Sequence, residues 1–410
     1  MDERTWAVTL IAVVVLAGQA SAGREPKRDP DTRRVRVLYV GDTVWRTWRD
    51  ITADPAFTVV PVPASLGYFT GDALLKFMRQ YIPRTYQTYV ETVDLLVLSD
   101  SDRSLFTSQQ EFWFRDGVVQ RGQGLVMGGG FEAFGGFAYG RSWKGSAVEE
   151  ALPVECMSNQ AWDIRPFFAR PAEDARDHPF VRSLPWDGMP PFNGMNIVTP
   201  KQSSIVLLWS VPTALGDPEY PVLIYWEVGK GASVAHTPDW NPGWGSTVMN
   251  DWELYQDYIV NIVYLASGLS IPQDLQLVHA VRTELAGYAL QRSLILSVLE
   301  FAESFGGNTA PLEKRLYETE PLRRQAEGLY LDQAYDSVLE TMALVRQELS
   351  ALSADAVKLK DQTMLWVYLV EWLAVSVSSL VCGFSLWTLM VRRKAYREVS
   401  TTRLESKGWV

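Results

Sequence analysis

The chain has 410 residues, 47% hydrophobic and 21% charged, enough for two or three folded units with a sizeable core and too apolar for wholesale disorder. Lys plus Arg total 38 against 48 Asp plus Glu, and the net charge of −10 argues against a nucleic-acid partner, because phosphate recognition needs a basic face. Two cysteines exclude a disulfide-stapled scaffold, and three histidines leave few ligands for a His-rich metal centre.

The first segment is an apolar run, Trp6 to Ala17, followed by the small-x-small pattern Ala20-Ser21-Ala22. Residues 1–22 therefore read as a secretory signal peptide removed after Ala22, although Asp2 and Glu3 outnumber Arg4 before the run. Residues 23–34 are charged and Pro-bearing and read as a linker. Val35 to Val40, ending at Gly41-Asp42, is a short apolar strand, and Phe57 to Val62 and Val93 to Leu98 are two more. Thr107 with Gln110 three residues later is a capping-box start for a helix over 107–120. Gly124 to Gly128 is a buried strand; Ser204 to Ser210, Pro221 to Val228 and Ala232 to His236 are later ones. Leu254 to Ala266 is a helix with Gly268 placed to cap it. Strands alternating with helices predict a parallel α/β sheet with crossovers over residues 35–270.

From Pro272 the strand signals vanish. Leu275 to Phe305 reads as one long helix broken by Gly306-Gly307; further helices start near Pro311 and run over 326–349 and 352–360. Residues 271–363 are expected to form a helical stalk. A single C-terminal transmembrane helix follows at 364–390, whose core, Trp372 to Met390, carries no charge and is bracketed by Trp366, Tyr368, Trp372 and Trp387. The tail at 391–410 has six basic residues against Glu398 and Glu405, a balance of 6 − 2 = +4, which predicts a cytoplasmic tail and an extracytoplasmic domain at the cell membrane, single-pass. Ala374, Ser378 and Cys382 recur every four residues, beside Ser379 and Gly383, and predict self-association through the span.

The candidate site is the stretch Gly124-Leu-Val-Met-Gly-Gly-Gly-Phe-Glu-Ala-Phe-Gly-Gly-Phe-Ala-Tyr-Gly140, a strand running into a glycine turn. Glycines permit sharp turns, and open α/β sheets bind ligands at the carboxyl ends of their strands. Gly129, Gly130, Phe131 and Glu132 on this turn, Asp100 after the strand at 93–98, and His236 at the end of another strand are therefore the candidate ligand-binding residues. Asp100 and Asp102 with His236 have no metal-motif spacing, so no metal and no cofactor are expected. His178 and His279 read as structural, in a turn and on a helix. Trp143, Trp162, Trp186, Trp240, Trp244 and Trp252 lie near loops or strand ends, where a ring can pack or stack on a sugar or a partner protein.

The order of several landmarks resembles the glutamine amidotransferase-like domain family, part of the class I glutamine amidotransferase-like superfamily. These are Val93 to Asp102, Gly128 to Gly140, Ser146 to Val154, His178-Pro179-Phe180, and Gly229 to Gly245 with Thr237-Pro-Asp-Trp240 and Gly243-Trp244-Gly245. The resemblance spans residues 33–268 and implies a flavodoxin-like α/β sandwich. It also implies a nucleophilic cysteine at the turn after the strand, assisted by a histidine, because a thiolate attacks an amide readily at neutral pH. Here the turn reads Gly128-Gly129-Gly130-Phe131-Glu132, without Cys, Ser or Thr, and Cys156 lies 156 − 130 = 26 residues beyond Gly130. The expectation is a non-catalytic module binding a surface ligand or a membrane protein partner. The alternative is a hydrolase or carbohydrate-active enzyme using Glu132 and His236 as acid/base groups.

Overall fold

The computed structural model describes residues 24–65, 69–136, 141–158, 161–213 and 216–405, with backbone alone for 398–405. The signal-peptide reading of residues 1–22, residues 137–140 of the glycine-rich stretch and the end of the basic tail lie outside the described residues. The chain divides into two compact units, Met1–Leu285 with Glu327–Val338, and Ala286–Ala326 with Leu339–Val410.

The first unit begins with β1 (Val35–Gly41), α1 (Thr47–Ala53), β2 (Phe57–Pro63), α2 (Gly71–Tyr81), α3 (Tyr86–Thr92), β3 (Leu95–Ser99), α4 (Ser108–Arg121) and β4 (Gly124–Gly128). It continues through α5 (Ala147–Ala151), β5 (Val154–Glu155), β6 (Trp162–Asp163), β7 (Phe167–Pro171), α6 (Pro179–Arg182), β8 (Met195–Asn196) and β9 (Thr199–Pro200). β10 (Ile205–Pro212), β11 (Pro221–Val228), β12 (Gly231–His236), α7 (Thr247–Asn250) and α8 (Tyr255–Ser267) complete its α/β part.

One sheet carries the strands in the order β2-β1-β3-β4-β12-β11-β10-β7. β2, β1, β3, β4 and β12 run parallel, and this part has the flavodoxin-like order. β11, β10 and β7 extend it antiparallel. The expectation of a parallel sheet therefore holds for its central part, whereas the strands over 204–210 and 221–228 reverse. A short turn such as Gly229-Lys230 can join β11 to β12 only as a hairpin, since a parallel link needs a long crossover.

Local chemistry explains the elements. All five residues of β3 and of β4 are buried, as expected of central strands covered on both faces. α4 starts with the predicted capping box, Thr107 and Gln110 exchanging bonds with each other's backbone, and stops at Gly122 in the left-handed region. Gly124 allows a close approach, since a Cβ there would lie 2.3 Å from Leu95 Cδ1 and 2.4 Å from Ala266 O at the end of α8. The predicted linker is docked where it is described. Arg24 Nη1 donates to Ala266 O, and Lys27 Nζ donates to Val90 O.

The first unit also reaches further than residue 270. α9 (Leu275–Ser304) begins within it, and Arg282 is buried there. Its Nη1 donates to Asp257 Oδ1 on α8 at 2.7 Å, and its Nε to Asp54 Oδ2 after α1 and to Tyr330 OH, each at 3.1 Å. A buried guanidinium needs such partners, and they draw residues 271–285 and 327–338 into the α/β body.

The second unit is helical. It contains the rest of α9, α10 (Ala310–Glu318), the start of α11 (Glu320–Leu331) and nearly all of α12 (Tyr335–Glu405). Ile295, Leu299, Ala302, Leu316, Val345, Leu349 and Leu352 are among its buried side chains. Arg315 on α10 reaches Glu348 and Asp355 on α12 at 2.8 and 2.7 Å. The helix expected over 326–349 is interrupted between Leu331 and Tyr335; from Tyr335 it continues through the helix expected over 352–360 and the expected span as one uninterrupted helix, which is long and apolar enough to cross a membrane.

Candidate functional site

The parallel strands deliver acidic residues to one end of the sheet. β1 runs into Asp42, β3 into Asp100 and Asp102, and β12 into Asp239, all buried. The glycine turn of β4 lies between the ends of β3 and β12. Asp100 has φ 45°, a left-handed backbone that Asp tolerates better than most residues. This aims its carboxylate at the turn, where Glu132 N donates to Asp100 Oδ1 at 2.6 Å and Ala133 N donates to the same group.

The rest of the turn is equally engaged. Gly129 N donates to His236 O at 2.8 Å and to Pro238 O at 3.1 Å. Asn196 on β8 clamps Gly130, its Oδ1 accepting from Gly130 N at 2.9 Å and its Nδ2 donating to Gly130 O at 3.0 Å. No side chain larger than hydrogen fits here. A Cβ on Gly130, where φ is 141°, would lie 2.2 Å from Asp100 Cγ, and one on Gly129 would lie 1.9 Å from Thr237 O. The amides of Gly129, Gly130, Glu132 and Ala133 thus all donate to the protein's own acceptors.

Burial raises the Asp100 carboxyl to about 7, with the Asp42 charge adding to the shift and the backbone donor Glu132 opposing it. Burial, followed by the charge of Asp100, also holds the Asp239 carboxyl far above its ordinary range. Asp42 is raised by burial as well. This end of the sheet therefore shares fewer negative charges near neutral pH than its carboxylates would carry in water.

Of the predicted residues, Asp100, Gly129, Gly130 and Glu132 come together. His236 joins them only through its backbone carbonyl. Its ring is fully buried, with Nδ1 2.9 Å from Pro238 O and Nε2 2.9 Å from Tyr258 OH. Burial pulls its pKa down to about 3. Neither ring nitrogen is open to a substrate, which corrects the reading of His236 as an acid/base or ligand-binding side chain. Cys156 is also buried, and burial, then the neighbouring Glu149 charge, pushes its thiol far up, away from thiolate chemistry. His178 caps α6 through Nδ1, and His279 binds Asp257 Oδ2 at 2.6 Å. Among the described residues, no group of three His, Cys, Asp or Glu side chains is arranged to hold a metal ion.

Asp42, Asp239 and Asn196 are site residues that sequence reasoning passed over. The usable signal was the recurrence of an acid after three of the five parallel strands, in Gly41-Asp42, Ser99-Asp100 and Pro238-Asp239. Three buried atoms of this region, Asp42 Oδ2, Asp102 Oδ2 and Trp240 Nε1, have no hydrogen-bond partner among the described residues. Trp240 lies beside the turn, 3.5 Å from where a Cβ of Gly128 would stand, and stacks on Tyr39. Phe131, 42% exposed, forms a rim with Trp162 and Trp244, at ring-centroid distances of 5.6 and 4.8 Å. Trp143, in contrast, is core, its Nε1 donating to Ser101 O.

Residues 93–267 match the family model described as "Putative glutamine amidotransferase". Among solved structures, the chain is similar to cytoplasmic protein STM1381 from Salmonella typhimurium LT2, at 21% identity over 57% of this chain and 99% of that one, with a TM-score of 0.46. Cytoplasmic protein STM3548 from Salmonella typhimurium gives 19% identity over 57% and 99%, with a TM-score of 0.45. The cold-adapted beta-galactosidase from Rahnella sp. R3 gives 10% identity over 58% and 32%, with a TM-score of 0.33. Among curated proteins no match is found.

Proposed function

From the premise that this chain carries a glutamine amidotransferase-like domain over residues 93–267, we propose that the domain is a non-catalytic binding module on a single-pass membrane anchor. The observation that carries this reading is the closure of the glycine turn. Amide hydrolysis needs a nucleophile at the turn and free donors for the oxyanion. The turn offers Gly128, Gly129 and Gly130 where a nucleophile would stand, and the Asp100 carboxylate already takes the amides of Glu132 and Ala133. The burial of both the Cys156 thiol and the His236 ring supports the same conclusion.

What the carboxyl end of the sheet offers a ligand is acidic and aromatic. Among the described residues the buried Asp42 Oδ2 and Asp102 Oδ2 are unpaired acceptors and the buried Trp240 Nε1 is an unpaired donor, and Phe131 with Trp162 supplies ring surface at the rim. That set suits a small neutral or cationic molecule rich in hydrogen-bond donors, such as a polyol, a sugar or an amine, and disfavours an anion. The +4 balance after residue 390, against the evenly balanced segment before residue 364, supports an extracytoplasmic domain and a cytoplasmic tail.

The test uses the full chain in detergent micelles. With glutamine and simple carboxamides, no ammonia is released above background; turnover that disappears in Glu132→Gln would overturn the reading. A thermal-shift screen of sugars and amines gives a stabilising ligand whose effect is lost in Asp42→Asn and Trp240→Phe.

A further inference from the structure

Two phenylalanines of the second unit are left half in solvent. Phe301 and Phe305 sit four residues apart on one face at the end of α9, 44% and 45% exposed, with ring centroids 5.0 Å apart. The neighbouring Ala302 is fully buried, so the pair points away from the unit's core. The chain then turns at Gly306-Gly307 against α12. A Cβ on Gly307 would lie 2.8 Å from Thr363 Oγ1. That contact fixes the height of the phenylalanine pair along α12.

Thr363 is the residue at which α12 changes character. It is still buried, whereas Leu365 and Trp366 beyond it are 66% and 67% exposed, and exposed apolar side chains continue through Met390. Residues 364–391 number 28, about 42 Å of helix at ~1.5 Å per residue, close to the ~40–45 Å of a bilayer including its headgroups. On the reading that α12 crosses a membrane, Thr363 stands at the outer edge of the headgroup layer, and Phe301 and Phe305 stand level with it.

We propose that the Phe301–Phe305 tip is a second membrane contact, which rests on the lipid headgroup layer beside the span. Aromatic and large apolar side chains are favoured near that depth, and the exposed apolar side chains of α12 begin at the same height with Leu365, Trp366 and Leu369. Glu300 and Glu303 flank the pair and are exposed, so the contact is apolar and does not depend on anionic lipid. This inference rests on the membrane-anchor reading given above. It adds that the helical unit is held to the surface at two points and cannot swing freely about the span.

The test is nitroxide depth measurement in phosphatidylcholine bilayers, using the full chain with Cys382→Ala. Cys156 is buried and does not label. Labels are placed at Phe301→Cys, Phe305→Cys, Leu344→Cys and Leu380→Cys, and relaxation by oxygen is compared with relaxation by a soluble nickel chelate. The expected oxygen-to-nickel ratio is highest at 380, lowest at 344 and intermediate at 301 and 305. A deep label at 380 with 301 and 305 as nickel-accessible as 344 would overturn the second contact and leave the anchor standing. A nickel-accessible label at 380 would remove the anchor, and the proposal with it.

Discussion

Asp100 is the residue on which the geometry of the turn depends. Burial holds its carboxyl at about 7 in the folded chain, against an ordinary value of 3.8. Between those values the folded state keeps a proton that the unfolded state releases. The site is therefore relaxed below about pH 4, and the carboxylate costs stability progressively as the pH rises through 7. Asn carries the neutral form at every pH, can accept the Glu132 amide through its Oδ1 and tolerates φ > 0. Asp100→Asn is thus expected to be more stable than wild type by about 1–3 kcal/mol at pH 8 and indistinguishable at pH 4, in urea unfolding at the two pH values. Equal midpoints at pH 8 would mean that the carboxylate is compensated where it lies. Gly130→Ala is expected to cost about 2–4 kcal/mol, because the new methyl meets Asp100 as well as a strained φ. Gly145→Ala, with φ 68° and open space around it, pays only the strain of about 1–2 kcal/mol; the pair of melting curves separates the two causes. Asp100 and the glycines were legible in the sequence because turn chemistry and strand ends leave local marks. The burial of His236 was not, since the rings of Phe192, Trp240 and Tyr258 that surround it arrive from separate segments.

At the scale of elements, strands and helices announced themselves through continuous apolar runs, a capping box and glycine stops. Their direction did not. The reversal at β11 and β10 depends on what each strand pairs with, and β7 escaped notice because Phe167-Phe-Ala-Arg-Pro171 is short and mixed. The first compact unit continues past residue 270 to Leu285 for a related reason. Composition changes at Pro272, but Arg282 is buried against Asp54 and Asp257, both far from it in sequence. Removing that cation leaves two buried carboxylates without their guanidinium, Asp257 keeping only His279 and Asp54 the hydroxyls of Tyr264 and Tyr330 with the Ala56 amide, and Arg282→Ala is expected to destabilise the first unit by about 3–5 kcal/mol, measured by guanidinium unfolding. A loss below about 1 kcal/mol would show that the carboxylates find other partners or protons.

For the whole molecule, the order of the sheet has a consequence for its synthesis. β4 must pair with β12 on one edge, yet β12 begins at Gly231, so 231 − 128 = 103 residues separate them in the chain. At roughly 5–20 residues per second, the edge of β4 waits about 5–20 s for its neighbour to leave the ribosome. The antiparallel strands cannot shield it, because β11 joins the sheet only through β12. Gly129 lacks its folded-state acceptors during that interval, since His236 and Pro238 are among the last residues of the α/β body to be made. The glycine turn is therefore assembled late, after its own strand has long been complete. A nascent chain stalled before residue 231 presents an apolar strand with an open edge, the form in which such a protein most readily pairs with a wrong partner.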